Sequence, residues 1–318
     1  MPSTGTPRHD PATAEAAGRR IAAGALIAFP TETVYGLGAD ATDGDAVARL
    51  YEAKGRPAFN PLIVHVPDLA AARRVARLDG VAERLAALFW PGPLTLVAPL
   101  APGHGLASLA LAGLDTVAVR VPGHALARAV LRAAGRPVAA PSANPSGRVS
   151  ATRAAHVAAG LGDRIDGILD GGPCAVGLES TIVRADPPTL LRAGGLASEE
   201  IEAALGRPLA EDLTPGRVAA PGQLASHYAP ARPVRLDATA PAPDAVTIGF
   251  GPVAGDLSLS PAGDLREAAA RLFDALHAAD ALAAERGLGR IDVAPVPGHG
   301  LGRAIRDRLA RAAAPREG

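Results

Sequence analysis

The sequence predicts an α/β protein with one large domain over residues 13–205 and a smaller α/β domain over residues 232–318. Helical periods alternate with short apolar runs along most of the 318 residues. Runs such as 117–119 (VAV) and 137–140 (PVAA) are apolar at successive positions, as expected for strands buried on both faces. Between the domains, residues 206–231 are dominated by Pro, Gly and Ala and show no period. These three observations set the architecture.

The elements of the large domain follow one another closely, after residues 1–12, which we expect to be disordered. Helices have apolar residues at helical spacing, and the strands are short apolar runs. The predicted helices are 13–23, 45–54, 68–77, 80–89, 124–134, 152–160 and 198–205. The predicted strands are 25–29, 61–66, 94–99, 116–121, 137–140, 166–170, 180–184 and 189–192. Because the last strands are close neighbours in sequence, we expect a mixed sheet.

Residues 206–231 form a linker that is too long and too distinctive for a passive tether. It contains residues 222–230 (GQLASHYAP), and we interpret it as a lid that folds back over a site. The second domain then has predicted strands near 245–249 and 291–294 and predicted helices near 263–286 and 301–313.

The charge balance and cysteine content exclude several function classes. Lysine plus arginine equals aspartate plus glutamate at 32 each, so the chain has no net charge that would attract nucleic acid non-specifically. The single cysteine, Cys174, excludes internal disulfides and cysteine-based zinc sites, and it fits a reducing compartment. The apolar stretch 21–30 is too short to span a membrane. We expect a cytoplasmic protein.

Lys54 is the one lysine among the 32 basic residues. Lysine presents a compact point charge, whereas arginine presents a planar fork, so its retention suggests a site that needs the point charge. The only two asparagines, Asn60 and Asn144, lie in unusual proline-flanked stretches, which suggests that the rare residue types share a role.

Polar side chains follow the apolar strands, at the place where open α/β sheets bind ligands. Residues 30–38 (PTETVYGLG) read as a polar turn after the first strand. The cations Lys54, Arg56, Arg120 and Arg192 converge on such strand ends with several hydroxyls. Arginine forks two oxygens while lysine supplies a point charge, so the pattern predicts a pocket for an anionic ligand such as a triphosphate. A P-loop, a complete dinucleotide-binding fingerprint, a serine-hydrolase elbow and a zinc-protease motif are all missing.

Eight motifs in this order closely resemble the YrdC-like family. They are 30–38 (PTETVYGLG), 54–56 (KGR), 60–65 (NPLIVH), 90–95 (WPGPLT), 119–122 (VRVP), 140–144 (APSAN), 177–183 (GLESTIV) and 191–194 (LRAG). The resemblance covers about residues 13–205 and implies an open twisted mixed sheet with flanking helices. The linker and C-terminal domain make the chain similar to the long, two-domain L-threonylcarbamoyladenylate synthases.

The resemblance implies condensation of L-threonine, bicarbonate and ATP to threonylcarbamoyl-AMP with release of pyrophosphate, for t6A37 modification of tRNA. It implies that four residues carry the catalysis: Lys54, Arg56, Ser142 and Asn144. It further implies ATP contacts from Lys54, Arg56, Asn60, Thr116, Ser142, Asn144, Ser150, Arg192, His227 and Tyr228. The implied threonine contacts are Thr33, His65, Arg120, Ala140 (through its backbone) and Ser180.

The implied chemistry needs little proton transfer, so positioning and charge neutralisation carry most of it. We expect Mg²⁺ to arrive with the ATP phosphates and to have no protein ligands. The product is expected to pass to a tRNA threonylcarbamoyltransferase, without strong direct tRNA binding and without a membrane. Residues 223–226 (QLAS) depart from the family's usual lysine or tyrosine there, so the linker contact to the nucleotide stays open.

Two alternatives remain. One is a non-catalytic YrdC-like module that binds RNA or a nucleotide in ribosome or tRNA maturation, which the zero net charge disfavours. The other is a carbamoyl-transfer module of the hydrogenase-maturation type, whose zinc fingers a single cysteine cannot build.

Overall fold

A computed structural model describes residues 10–57, 59–211 and 227–315 of the chain. The first domain is built on a ten-stranded sheet with the strand order β10-β9-β8-β4-β5-β3-β6-β2-β1-β7. Its strands are β1 Ile27–Pro30, β2 Tyr35–Asp40, β3 Ile63–His65, β4 Leu94–Pro99, β5 Thr116–Arg120, β6 Val138–Ala139, β7 Gly167–Ile168, β8 Thr181–Arg184, β9 Thr189–Arg192 and β10 Ala210–Glu211. The sheet contains both parallel pairs (β3–β5, β4–β8) and antiparallel pairs (β4–β5, β8–β9), so the predicted mixed sheet is confirmed.

Helices of the first domain connect these strands. They are α1 Ala14–Ala22, α2 Gly44–Lys54, α3 Leu69–Val75, α4 Gly80–Phe89, α5 Ser108–Leu111, α6 Ala125–Ala134, α7 Ala154–Leu161 and α8 Ser198–Leu205, with a 3₁₀ turn at Gly162–Arg164. Alternate residues of β1 face opposite sides: Ile27 and Phe29 pack with α1 and α6, whereas Ala28 packs in the larger core with α2. Apolar packing on both faces of the sheet explains why its strands read as continuous apolar runs.

Residues 35–40 differ from the sequence-based prediction, which treated 30–38 as a polar turn. They form β2, which pairs antiparallel with β1 and, on its other edge, with β6. Two glycines hid this strand from a propensity argument. At Gly38 a Cβ atom would lie 2.7 Å from the ring of Phe29, so close packing of β2 on β1 excludes the side chains that usually mark a strand.

The second domain has a four-stranded parallel sheet with the order β11-β14-β12-β13. Its elements are β11 Val234–Arg235, β12 Ala245–Gly249, β13 Leu257–Ser258, α9 Leu265–Glu285, β14 Arg290–Val293 and α10 Leu301–Ala313. The predicted smaller α/β domain is confirmed, and the short strands β11 and β13 are additions to the prediction.

The two domains share one packed interface. Val34, Val149 and Leu178 of the first domain belong to the same apolar cluster as Phe273 of α9. At Gly177, with φ of 74°, a Cβ atom would lie 2.4 Å from the carbonyl oxygen of Ala269 in α9. Only glycine allows this approach, so the loop before β8 lies directly on the second domain.

Most of the predicted linker and lid, residues 212–226, lies outside the described residues, as do residues 1–9 of the predicted disordered N-terminus. Asp10 already accepts a hydrogen bond from the backbone N–H of Ile168 at 2.9 Å, so the chain is fixed there. After Leu205 the chain continues into β10, which pairs parallel with β9. In the described part of the chain, no helix is long and apolar enough to cross a membrane.

Candidate active site

A pocket opens where several strands of the ten-stranded sheet end. β3 and β5 are parallel neighbours, and His65 lies opposite Arg120 at their carboxyl ends. The pocket encloses about 560 Å³ of space continuous with solvent. Its lining is Thr31, Thr33, Val34, Gly36, Arg56, Ile63, His65, Arg120, Ala140, Pro141, Ser142, Glu179, Ser180, Arg192, His227 and Tyr228. This is the location that the strand-end argument predicted.

Arg120 ends β5 and is held in one orientation by three acceptors. Its Nη2 donates to Oε1 of Glu32 at 2.6 Å, its Nη1 to the hydroxyl of Thr33 at 2.9 Å, and its Nε to the carbonyl of Gly92 at 3.2 Å. A guanidinium has five N–H groups, so two remain beyond these three contacts. Arg120 is therefore a fixed cation in the pocket wall with donor capacity left.

Hydroxyl groups surround this cation. Thr31 and Thr33 join their hydroxyls at 2.7 Å, and Ser180 and Thr95 do the same at 2.7 Å. Hydroxyls both donate and accept, so these pairs can bind an amino-acid hydroxyl or amine without adding charge.

His65 is neutral in this environment. Its burial, and next the charge of Arg120, lower its pKa to about 3. Nδ1 lies 3.3 Å from the carbonyl oxygen of Ile63, which can only accept a hydrogen bond, so Nδ1 carries the proton. Nε2 is then a hydrogen-bond acceptor.

Two further cations, Arg56 and Arg192, line the same pocket. Arg56 donates to the carbonyls of Asn60 at 3.2 Å and Pro61 at 2.9 Å, and burial lowers its pKa to about 10, so it stays charged at neutral pH. Arg192 ends β9 and donates to the carbonyl of Ser180 at 2.9 Å. Burial and, to a smaller extent, the charge of Arg192 lower the pKa of Arg56, while burial and then the charge of Arg308 lower the pKa of Arg192. An anionic ligand would relieve this arrangement.

Lys54 is buried beneath this wall instead of lining it. α2 ends at Lys54 because Gly55 adopts the left-handed conformation that caps it. Its Nζ donates to the carbonyls of Ser142, at 2.6 Å, and of Asn144, while its own carbonyl accepts from the N–H of Ser146 at 2.8 Å. Burial lowers its pKa well below the ordinary value. The sequence predicted that this ammonium contacts a ligand oxygen. In the structure it instead contacts the backbone of the loop that carries Ser142.

The two asparagines also lie behind the pocket lining. Asn144 donates through Nδ2 to the carbonyls of Pro145 and Arg148, both at 2.9 Å, and so stiffens the same loop. Asn60 is fully buried, and neither side-chain amide atom has a hydrogen-bond partner among the described residues. Because buried amides are normally satisfied, Asn60 is a candidate for a polar ligand contact.

His227 and Tyr228, which belong to the described end of the predicted linker, lie in the pocket lining. Ala229 donates its N–H to the carbonyl of Gly147 at 2.9 Å, which joins this segment to the loop held by Lys54. The Tyr228 ring packs against His227 at 4.1 Å and against Phe273 at 5.5 Å between ring centres. Burial lowers the pKa of His227 to about 3, so this imidazole is neutral as well.

Ten of the predicted site residues line the pocket, and five do not. Those in the lining are Thr33, Arg56, His65, Arg120, Ala140, Ser142, Ser180, Arg192, His227 and Tyr228. Four residues lie behind the lining: Lys54, Asn60, Asn144 and Ser150. Three of them make hydrogen bonds that support the lining, whereas the side-chain amide of Asn60 has no partner among the described residues. Thr116 is separated from the pocket: Thr116 begins β5, whereas Arg120 ends that strand, and Thr116 lines a different cavity with Arg77 and Arg184. The expected ATP contact of Thr116 stays a prediction.

Sequence reasoning missed Glu179 and Thr31 as site residues. Glu179 lines the pocket and accepts a hydrogen bond from the hydroxyl of Ser150, so Ser150 acts through it. Thr31 lies two residues before Thr33 and Glu179 directly precedes Ser180, so adjacency to predicted residues was the available signal. In the part of the chain that the structure describes, no group of three His, Cys, Asp or Glu residues is close enough to hold a metal ion.

Two family models match the chain. Residues 19–194 match the Sua5, YciO and YrdC model, described as telomere recombination, and residues 196–314 match the model of the threonylcarbamoyl-AMP synthase C-terminal domain. The threonylcarbamoyl-AMP synthase of Bacillus subtilis is 47% identical over 238 residues, which cover 72% of this chain and 67% of that protein. The enzyme of the same name from Pyrococcus abyssi is 47% identical over 67% of this chain and 64% of its own length.

Solved structures show the same similarity. The crystal structure of P. abyssi Sua5 complexed with L-threonine matches with a TM-score of 0.85 and 39% identity, over 94% of both chains. E. coli YciO matches with a TM-score of 0.52 at 23% identity over 58% of this chain, which reflects the shared fold of the first domain.

Proposed function

The chain belongs to the Sua5, YciO and YrdC family, in the form that carries a threonylcarbamoyl-AMP synthase C-terminal domain, and on this basis we propose that it is a threonylcarbamoyl-AMP synthase. It condenses L-threonine, bicarbonate and ATP to threonylcarbamoyladenylate and releases pyrophosphate. The proposal places this reaction in the cytoplasm, where the product is passed to a tRNA-modifying transferase for t6A37 formation.

One observation carries the proposal. The chain matches a threonine-complexed relative over 94% of its length, and its own pocket presents the groups that an amino acid requires. In the proposed threonine subsite, Arg120 pairs with the carboxylate through its two remaining N–H groups. Thr33, Ser180 and the unprotonated Nε2 of His65 bind the hydroxyl and the amine, and the backbone of Ala140 completes the subsite.

The first step is carbamate formation. The neutral threonine amine forms a C–N bond to carbon dioxide derived from bicarbonate, and its proton goes to the hydroxide that bicarbonate releases, which gives water and a carbamate anion. The pocket contributes no strongly basic side chain here, since the pKa of His65 lies near 3. Its contribution is to hold the amine next to the carbon dioxide while the carboxylate is fixed, which is catalysis by proximity.

The second step is nucleotidyl transfer. A carbamate oxygen attacks the α-phosphorus of ATP, and pyrophosphate leaves. Arg56 and Arg192 stabilise the phosphate charge from the pocket wall, with the Ser142 hydroxyl as a further donor. Lys54 and Asn144 keep the Ser142 loop in place. The side-chain amide of Asn60, which has no other partner among the described residues, forms hydrogen bonds with the nucleotide.

A divalent cation such as Mg²⁺ would come with the triphosphate and neutralise part of its charge. The chemistry of the pocket fits this, because Glu179, the one carboxylate among the described lining residues, is already engaged by Ser150 and Arg308. Phosphate oxygens and water are then the ligands left for such an ion.

The deciding experiment measures pyrophosphate release from ATP by the purified full-length chain, with product identification by mass spectrometry. We expect release only when L-threonine and bicarbonate are both present. Equal turnover without threonine contradicts a synthase. Nucleotide or RNA binding without any pyrophosphate release supports a non-catalytic module instead.

A further inference from the structure

Arg308 lies on α10 of the second domain yet is completely buried against the pocket of the first. Its Nε donates to Oε2 of Glu179 at 2.9 Å, and its Nη2 donates to the carbonyl of Ala193 at 2.9 Å, next to Arg192. Its guanidinium carbon lies 5.1 Å from the centre of the Tyr228 ring. One side chain of the second domain thus contacts two lining residues and the neighbour of a third.

Glu179 explains why this contact matters. Its carboxylate lines a pocket whose other charged residues are cations suited to phosphates, so an unpaired negative charge there would repel a nucleotide. Its Oε1 accepts from the Ser150 hydroxyl, and its Oε2 accepts from Arg308 on the side of the second domain. Burial raises the pKa of Glu179, but the charges of Arg308 and then Arg192 more than offset this, and the carboxyl is ionised at neutral pH.

We propose that Arg308 is a positioning residue for the nucleotide half of the active site. It neutralises Glu179, fixes the Tyr228 ring and holds the chain beside Arg192, so ATP binding depends on the second domain. The inference rests on the proposed function in that the nucleotide is taken to be ATP. It assigns the second domain a direct part in substrate binding, beyond packing.

A purely structural interdomain ion pair would act differently. Its loss would lower stability and would affect both substrates alike. Loss of a group that neutralises Glu179 should act mainly on the anionic nucleotide, because Arg120, the proposed partner of the threonine carboxylate, pairs with a different carboxylate, Glu32. The ratio of the two KM effects therefore separates the two roles.

The test compares Arg308→Met with Arg303→Met. Arg303 is a matched control because it lies on the same helix and also bridges the domains, through an ion pair with Glu211 at 2.8 Å, but it does not line the pocket. We expect Arg308→Met to raise the KM for ATP at least ~10-fold and the KM for threonine less than ~2-fold. Arg303→Met leaves both values unchanged.

The double variant Arg308→Met/Glu179→Gln removes both members of the buried ion pair, and Asp307, the other carboxylate that Arg308 contacts, keeps its ion pair with Arg311. The double variant should therefore fold even where the single variant does not. We expect it to recover ATP affinity to within ~3-fold of the wild type. Recovery supports the proposal. An ATP affinity in the double variant as weak as in Arg308→Met, or equal KM increases for both substrates, overturns it.

Isothermal titration with ATP makes the test independent of turnover. A wild-type chain that binds ATP but releases no pyrophosphate refutes the proposed function, while weaker ATP binding by Arg308→Met still supports the role of Arg308. A wild-type chain that turns over normally, with unchanged ATP affinity in Arg308→Met, refutes the role of Arg308 alone.

Discussion

The two domains both bury charged residues at the ends of parallel strands, but they use them differently. In the second domain, Asp292 on β14 is fully buried and is bound by Arg235 and Arg290, at 2.8 Å in the pair with Arg290. In the first domain, Arg120 and Arg192 end their strands in the wall of an open pocket. The buried charges of the second domain pair with one another. Those of the first domain face space that a ligand can enter.

This difference separates structural from functional buried charge. Burying an ion is costly unless a partner compensates it, and in the second domain the partner is another side chain. In the first domain the partners are incomplete, since Arg120 has two N–H groups beyond its three contacts. Arg308 is the exception that links the two regions, because it belongs to the second domain but serves the pocket.

The largest effect is expected for Arg120→Ala. Loss of two charge-assisted hydrogen bonds to the threonine carboxylate, together worth about 3 kcal/mol, should raise the threonine KM ~100-fold and the ATP KM far less. Steady-state pyrophosphate release at varied concentrations of each substrate measures both values.

Arg136→Ala is the control for this prediction. Arg136 pairs with Asp40 at 3.1 Å with a mostly exposed guanidinium, and its loss should leave both KM values unchanged. If Arg120→Ala raised both KM values equally, Arg120 would belong with the structural charges.

A smaller effect is expected for Lys54→Arg. A planar guanidinium is too wide to donate to the carbonyls of Ser142 and Asn144 from the buried position of the ammonium. The Ser142 loop should shift, and kcat should fall at least ~10-fold, about 1.4 kcal/mol of transition-state stabilisation. Wild-type kinetics in Lys54→Arg would show that charge alone, without shape, suffices at this position.

The interface between the two regions should weaken in acid. His156 of α7 stacks on His277 of α9 at 3.9 Å, near Arg153, Asp274 and the carbonyl of Ser150. Burial lowers both pKa values, that of His156 to about 4, with a further contribution from His277. Between pH 6.5 and 4 these two histidines therefore bind protons in the unfolded chain but not in the folded chain. Their contribution to the free energy of unfolding is present above pH 6.5 and is lost as the pH falls toward 4.

Thermal unfolding at pH 7.5 and pH 5 tests this prediction. We expect the drop in Tm for the wild type to exceed that for His156→Gln by a few degrees. The remaining drop reflects other buried imidazoles, including His65 and His227, whose pKa values are also lowered. Equal drops in the two proteins would show that the stacked pair does not titrate in this range.

The smallest effect is expected for Arg290→Gln in the second domain. Asp292 keeps Arg235, so Tm should fall only slightly, and both KM values should stay at the wild-type level. A raised ATP KM in Arg290→Gln would mean that the buried charges of the second domain reach the pocket more widely than through Arg308.

Much of the fold could be predicted because most strands are short apolar runs. The strand 94–99 and the helices 80–89, 198–205 and 301–313 have the predicted bounds. Residues 31–34 do form the predicted turn, but the prediction for 35–38 was wrong because β2 packs so closely on its neighbours that it needs glycines, which are poor strand formers. A sequence pattern reflects the strand propensity of each residue, but close approach of neighbouring strands can require glycine in spite of its low propensity.

The pocket lining could be predicted where its residues lie at the ends of strands that are visible in the sequence. Strand-end residues such as His65 and Arg120 meet because parallel neighbours end together. Thr116 lies apart from them because four residues of extended strand, about 13 Å, separate it from Arg120, and its ATP contact stays a prediction. The pairing of Glu179 with Arg308 joins residues 129 positions apart, and no local pattern indicates it.

Lys54 binds main-chain carbonyls in the Ser142 loop, so the conformation of this loop and the side chain at residue 142 can vary independently. The ammonium grips the backbone at Ser142 and Asn144, so the path of the loop does not depend on the side chain that residue 142 carries. Substitutions at Ser142 can therefore change a single hydroxyl on an unchanged scaffold. If the proposed nucleotide contact holds, substitutions at Ser142 should vary the selectivity for nucleotide analogues with little effect on the path of the loop.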